Sequence, residues 1–134
     1  MMKEIEQINE LTQEIIVCAI DVHQTLGQGL PESAYIISLS AGLAERGIKI
    51  EEQKPASILK ESAQLDTDCR EYLLVEDKVM LEIKSVDQLT QDHQSKLTTC
   101  LVLSGYEVGL LINFNVENLE LGLKRVINSE LYDL

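Results

Sequence analysis

The chain has no tryptophan, one phenylalanine and two prolines among its 134 residues. A core built from it must be aliphatic. It is short of positive charge: 11 basic residues stand against 23 acidic ones, for a formal net charge of −12. Affinity for a phosphate backbone comes from Lys and Arg displacing counterions, so this balance argues against a nucleic-acid surface, and no basic cluster stands out. No apolar run reaches the roughly 18 residues that a membrane-spanning helix needs. The opening MMKEIEQINE is polar and acidic, which is not the texture of a secretory signal, and a cytoplasmic location is expected. Three cysteines, Cys18, Cys69 and Cys100, are odd in number and form no C-x-x-C pair, so buried thiols are expected in place of a zinc site or a disulfide framework. His23 and His93 have no second ligand at metal spacing, and structural or exposed roles are expected for them.

What is present is the composition of a globular chain, 45% hydrophobic and 25% charged, with length for one domain over residues 1–134. Ile5, Ile8, Leu11, Ile15, Ile16, Ala19 and Val22 recur three and four apart, which predicts an amphipathic helix over 5–22. LGQGLPES breaks it at 26–33. Gly27 and Gly29 lack the Lys and Ser/Thr of a phosphate loop, so they are read as a tight interhelical turn. Pro31 fits the first turn of a second helix that runs to about Arg46 and stops at Gly47. Beyond Ile48 the texture is that of strands: IKIEEQ alternates, ASILK is short and apolar, and CREYLLVE with KVMLEIKSV reads as a hairpin across Asp77. Glu51 and Glu52 fit a solvated strand face. Residues 90–104 are helical, capped by Thr90 and ended by Gly105. EVGLLINF is a strand covered on both faces, and LKRVINS an edge strand or short helix. The fold class is therefore α/β or α+β, a mixed sheet with helices packed on it.

VMLEIKSV, residues 79–86, places Glu82 and Lys84 on one face of an otherwise apolar strand. Buried charge is costly unless paired or bound to a metal.

The stretch DVHQTLGQGLPESAY fits V-H-x-x-L-G-x-G-L-x-E-x-x-Y. With the LLVEDKVMLEIKSV hairpin and SGYEVGLLINF following in order, the chain resembles the GxxExxY proteins, a bacterial group with the PD-(D/E)XK nuclease fold, over about residues 10–130. The resemblance implies a restriction-endonuclease-like α-β-β-β-α-β core, here with an extra N-terminal helix, and a Mg²⁺-dependent phosphodiesterase site. Glu32 on the second helix and Glu82 on the strand match metal carboxylates. Lys84 matches the lysine that positions the attacking water, and Tyr35 lies on the helical face of Glu32, where it would orient that carboxylate or cap the core.

Three positions depart from the pattern. Tyr72 stands where family members carry the central aspartate ligand, and Lys96 and Cys100 replace a glutamine and a tyrosine on the following helix. If residues 76–78 form a three-residue loop, Tyr72 lies opposite Glu82. If the loop is Asp77-Lys78 alone, position 71 pairs with 84 and Glu71 joins the face of Glu82 as a substitute ligand. Asp66 and Asp68 are weaker substitutes, and loss of the site is favoured over its rescue. Without the aspartate, Glu82 would pair with Lys84 or with Lys96.

Two functions compete. One is a binding or scaffold protein with a degenerate site and no cofactor; the other is an active Mg²⁺-dependent nuclease using Glu32, Glu82, Lys84 and a substitute ligand. The partner is unknown; a homodimer through the apolar stripe of the first helix is a third possibility, and no membrane partner is expected.

Overall fold

A computed structural model describes residues 2–52 and 72–128. Helices α1 (Met2–Leu26) and α2 (Glu32–Glu45) come first, then β1 (Ile50–Glu52), β2 (Leu73–Val75) and β3 (Val79–Lys84). Helix α3 (Gln91–Ser104), β4 (Val108–Asn113), a 3-10 turn (Leu119–Gly122) and β5 (Leu123–Ile127) complete the described chain. The strands form one sheet in the order β1-β2-β3-β4-β5. Neighbours run antiparallel except β3 and β4, which are parallel and joined through α3, as parallel pairing requires a crossover. This is the mixed α+β architecture expected from the sequence, and LKRVI takes the strand alternative, at the sheet's edge. The ASILK segment, Cys69, Asp66 and Asp68 lie outside the described residues.

The two faces of the sheet hold two cores. Leu73, Val75, Val79, Leu81, Ile83, Leu110 and Ile112 pack against α1 and α2, where Ile15, Ala19, Tyr35, Leu39 and Leu43 are buried. Leu74, Met80, Leu111 and Val126 pack against Leu97, Cys100 and Leu101 of α3. Burial of every residue of β4 follows, as its continuous apolar run implied. Along the apolar stripe of α1, Ile8, Ile15, Ala19 and Val22 are buried in this core, with Leu11 and Ile16 packed against it. Between the first two helices the approach is close: a methyl group on Gly42 would lie 2.6 Å from the Cys18 sulfur.

Local signals end the helices as expected. Gly27 takes φ +72 and donates its N–H to the His23 carbonyl, closing α1. Thr90 caps α3 in a capping box whose return partner is His93: the Thr90 N–H donates to His93 Nδ1 at 2.9 Å. His23 is likewise structural, its Nε2 lying 2.7 Å from the Val116 carbonyl oxygen.

The hairpin turn is held from outside. Glu76 and Asp77 both adopt left-handed backbone angles, φ 54 and 53, which cost a non-glycine residue about 1–2 kcal/mol each. Glu76 compensates by accepting the Lys49 N–H at 2.6 Å, and Asp77 by accepting the Tyr106 hydroxyl at 2.6 Å. Burial, reinforced by that carboxylate, pushes the Tyr106 phenol up to about 12. An unfolded tyrosine titrates near 10. The contact's stabilisation is therefore complete below about pH 10 and is lost as pH rises from there towards 12. Tyr106→Phe is expected to flatten that alkaline slope, measured by urea unfolding at pH 8 and pH 11. Parallel losses in both proteins would assign the slope elsewhere.

Candidate functional site

The face of β3 that bears Met80 turns towards α3, and with a two-residue period Glu82 and Lys84 share it. Glu82 is 4% exposed. Its Oε1 lies 3.3 Å from Lys84 Nζ, so of the two cations weighed for it the ion pair forms with its own strand neighbour. Lys96 is exposed. At about 100° per residue, α3 turns Leu97, Cys100 and Leu101 to the sheet and leaves position 96 on its outer flank, which ends the idea of a Glu82–Lys96 pair.

Strand register decides what faces Glu82. The pairs Leu73↔Leu81, Leu74↔Met80 and Val75↔Val79 enclose the three-residue loop 76–78, and the next position along the ladder sets Tyr72 opposite Glu82. The two-residue-loop register, which was to bring Glu71 onto this face, does not occur; Glu71 itself lies outside the described residues. Tyr72 is 1% exposed and belongs to the same apolar cluster as Met80 and Cys100. Cys18 is a free, buried thiol, but Cys100 is disulfide-bonded, which corrects the expectation of ordinary thiols for it. Spacing along the chain does not report the spatial approach that a disulfide needs. Burial raises the Cys18 thiol above its ordinary value.

Glu32 opens α2 and is half-buried. The loop before it is fastened to the end of β3, because Ser85 Oγ donates to the Leu30 carbonyl at 2.6 Å. Tyr35 holds the other side of that loop. Its hydroxyl donates to the Gly27 carbonyl at 2.7 Å and accepts the Leu30 N–H at 3.2 Å, while its ring stacks on Phe114 with centroids 4.5 Å apart. Tyr35 thus shapes the G-x-G turn through the backbone, and its one proton goes there and not to Glu32.

Three contributors escaped the sequence reading. Asn113, 1% exposed at the end of β4, donates to the Val86 carbonyl and accepts the Val86 and Asn115 N–H groups, splicing β3 to β4 where the ladder ends. A lone amide closing the apolar run VGLLIN was the available signal. Asn128, equally buried, donates to the Leu101 and Tyr106 carbonyls and so ties β5 to the end of α3. Gly122 passes so close to β4 that a methyl group there would meet the Asn113 carbonyl oxygen at 2.2 Å.

Mg²⁺ takes near-octahedral oxygen coordination, usually from one or two carboxylates with waters and substrate phosphates. Among the described residues no three His, Cys, Asp or Glu side chains converge in a way that could hold a metal ion. They bring to this face one deeply buried carboxylate, already beside an ammonium, with a phenol opposite. That set alone does not fit Mg²⁺, and no catalytic step is derived through it. No described helix is long and apolar enough to cross a membrane.

A family model described as the PD-(D/E)XK nuclease superfamily covers residues 9–126. No curated protein and no solved structure matches the chain.

Proposed function

The chain belongs to the PD-(D/E)XK nuclease superfamily, and from that premise we propose that it is a GxxExxY-type member whose metal site is degenerate and which acts by binding a partner. The observation that carries this reading is Tyr72 at the position facing Glu82, with Lys84 neutralising that carboxylate at 3.3 Å. A phenol is no equivalent of a carboxylate ligand for a hard divalent cation. The net charge of −12 agrees, since it repels the phosphate backbone that a nuclease must hold. A cytoplasmic location belongs to the same reading.

The second reading, an active Mg²⁺-dependent phosphodiesterase, is favoured by the intact Glu82-x-Lys84 pair. It requires Glu32 and a substitute ligand, Glu71 or a loop aspartate, to complete the site.

Calorimetry with Mg²⁺ and Mn²⁺ separates the two. The native chain is expected to bind neither ion, and Tyr72→Asp to gain a site that Glu82→Gln then abolishes. Binding by the native chain that Glu82→Gln removes would overturn degeneracy, and cleavage assays on single-stranded DNA, duplex DNA and RNA would follow. Light scattering after size exclusion tests the homodimer, which a monomer at high concentration removes.

A further inference from the structure

Strand β5 is the edge of the sheet, and α3 overhangs it. Asn128 donates its N–H to the Glu107 carbonyl at 2.8 Å, which continues the β4–β5 register by one pair. Hydrogen-bonded pairs alternate along an antiparallel ladder. Lys124 and Val126 therefore turn their backbone groups to β4, and Arg125 and Ile127 turn theirs outward; Leu123, whose N–H donates to the Glu120 carbonyl, offers only its C=O. Among the described residues no strand pairs with that side. An open edge is a template for another strand, and folds commonly close it with a helix or loop.

Among the described residues the cover stays open. Between α3 and β5 runs a groove of about 550 Å³, walled on the helix by Gln91, Gln94, Ser95, Thr98 and Thr99 and floored by Arg125, Val126 and Ile127. Its helix wall carries amides and hydroxyls and no apolar side chain. Among the described residues no carboxylate lines it, in a chain whose acidic residues outnumber its basic ones 23 to 11. Lys124 and Arg125 on the strand are both exposed. Arg125 donates to the neutral amide oxygen of Asn9, and neither cation makes an ion pair with a described residue.

We propose that this edge and groove bind an extended peptide segment bearing carboxylate side chains, which adds a strand to the sheet beside β5. The outward N–H and C=O groups of residues 125 and 127 and the C=O of residue 123 supply the ladder, the helix wall takes the segment's polar groups, and Lys124 and Arg125 select its charge. A second copy of the chain is the poorer occupant, because pairing two β5 strands sets two Lys124-Arg125 pairs against each other in one short ladder. The inference would give the proposed binding role its surface. It stands or falls apart from the metal reading, which is decided by titrating the Tyr72 variants.

The test uses the full chain and a fluorescein-labelled octapeptide of alternating glutamate and valine, read by anisotropy. Its lysine counterpart and a ten-residue oligothymidylate are the comparison probes. The glutamate peptide is expected to bind at least tenfold more tightly than either. Hydrogen exchange should then slow at the amides of 125 and 127, leaving those of 123, 124 and 126 unchanged. Ile127→Pro removes one outward N–H without touching the β4 ladder and is expected to weaken binding at least tenfold. Lys124→Glu with Arg125→Glu keeps the backbone edge and is expected to reverse the preference towards the lysine peptide. Equal binding of both peptides, no binding of either, preference for the oligonucleotide, or an unchanged preference in the charge-reversed variant would overturn the proposal.

Discussion

Lys84→Met is expected to destabilise the fold by about 3–5 kcal/mol, the cost of breaking a buried ion pair by removing one of its members. Glu82 sits on the central strand β3 at 4% exposure, and the Lys84 ammonium 3.3 Å away offsets its desolvation. Methionine preserves the length and apolar stem of the lysine, so packing changes little and the loss reads the charge. The double variant Glu82→Gln/Lys84→Met removes both charges and is expected to recover most of the loss. Urea unfolding of the two single variants, the double and the native chain completes a cycle with a coupling of 2 kcal/mol or more on the order expected for contacting charges. A loss below about 1 kcal/mol in Lys84→Met would mean that the pair is solvated and that β3 tolerates Glu82 without help. On the degenerate-site reading proposed above, this structural role accounts for the presence of Glu-x-Lys in the strand.

Gly122→Ala is the second large effect, expected at about 3 kcal/mol or more, at or above the upper end for overpacking. The added methyl group would meet a backbone carbonyl oxygen, that of Asn113, at 2.2 Å, where no side-chain rotation can relieve it. Asn113 is also the residue that splices the ends of β3 and β4 through Val86, so the strain reaches the centre of the sheet. Either the 3-10 turn lifts and drags Leu123 from its pairing with Ile112, or the splice distorts. Faster hydrogen exchange along β5, with the amides of α1 unchanged, would identify the first. For a chain of this size a loss of that order lowers the melting temperature by about 10 °C. A variant within 0.5 kcal/mol of the native chain would show that the turn has room to move.

The helices and the central strand were legible because their signals are local. The three-and-four spacing of Ile8, Ile15, Ala19 and Val22 needs no partner to be read as a helix face, and the structure buries those residues. Thr90 acts through its own side chain and Gly105, Gly27 and Gly47 through their own backbone geometry, so α3 begins and ends where its caps stand and α1 and α2 stop at their glycines. The unbroken apolar texture of VGLLIN implied cover on both faces of β4, which it has.

The candidate site was legible in its residues and not in their arrangement. Whether Tyr72 or Glu71 faces Glu82 depends on a loop length that VEDK does not announce, since its left-handed positions carry Glu76 and Asp77 in place of glycine or asparagine. Those angles are stable because Lys49 and Tyr106, 27 and 29 residues away, hydrogen-bond to them. Lys96 looked like a counter-ion until the rotation of α3 was known. The Asn113 splice and the need for glycine at 122 exist where β4 meets the 3-10 turn and nowhere in the local pattern. Periodicity and caps are properties of a segment, so the sequence by itself determined which elements form and where they end. Register, the facing of charges and close backbone approach are relations between segments, and only the packed sheet decided them.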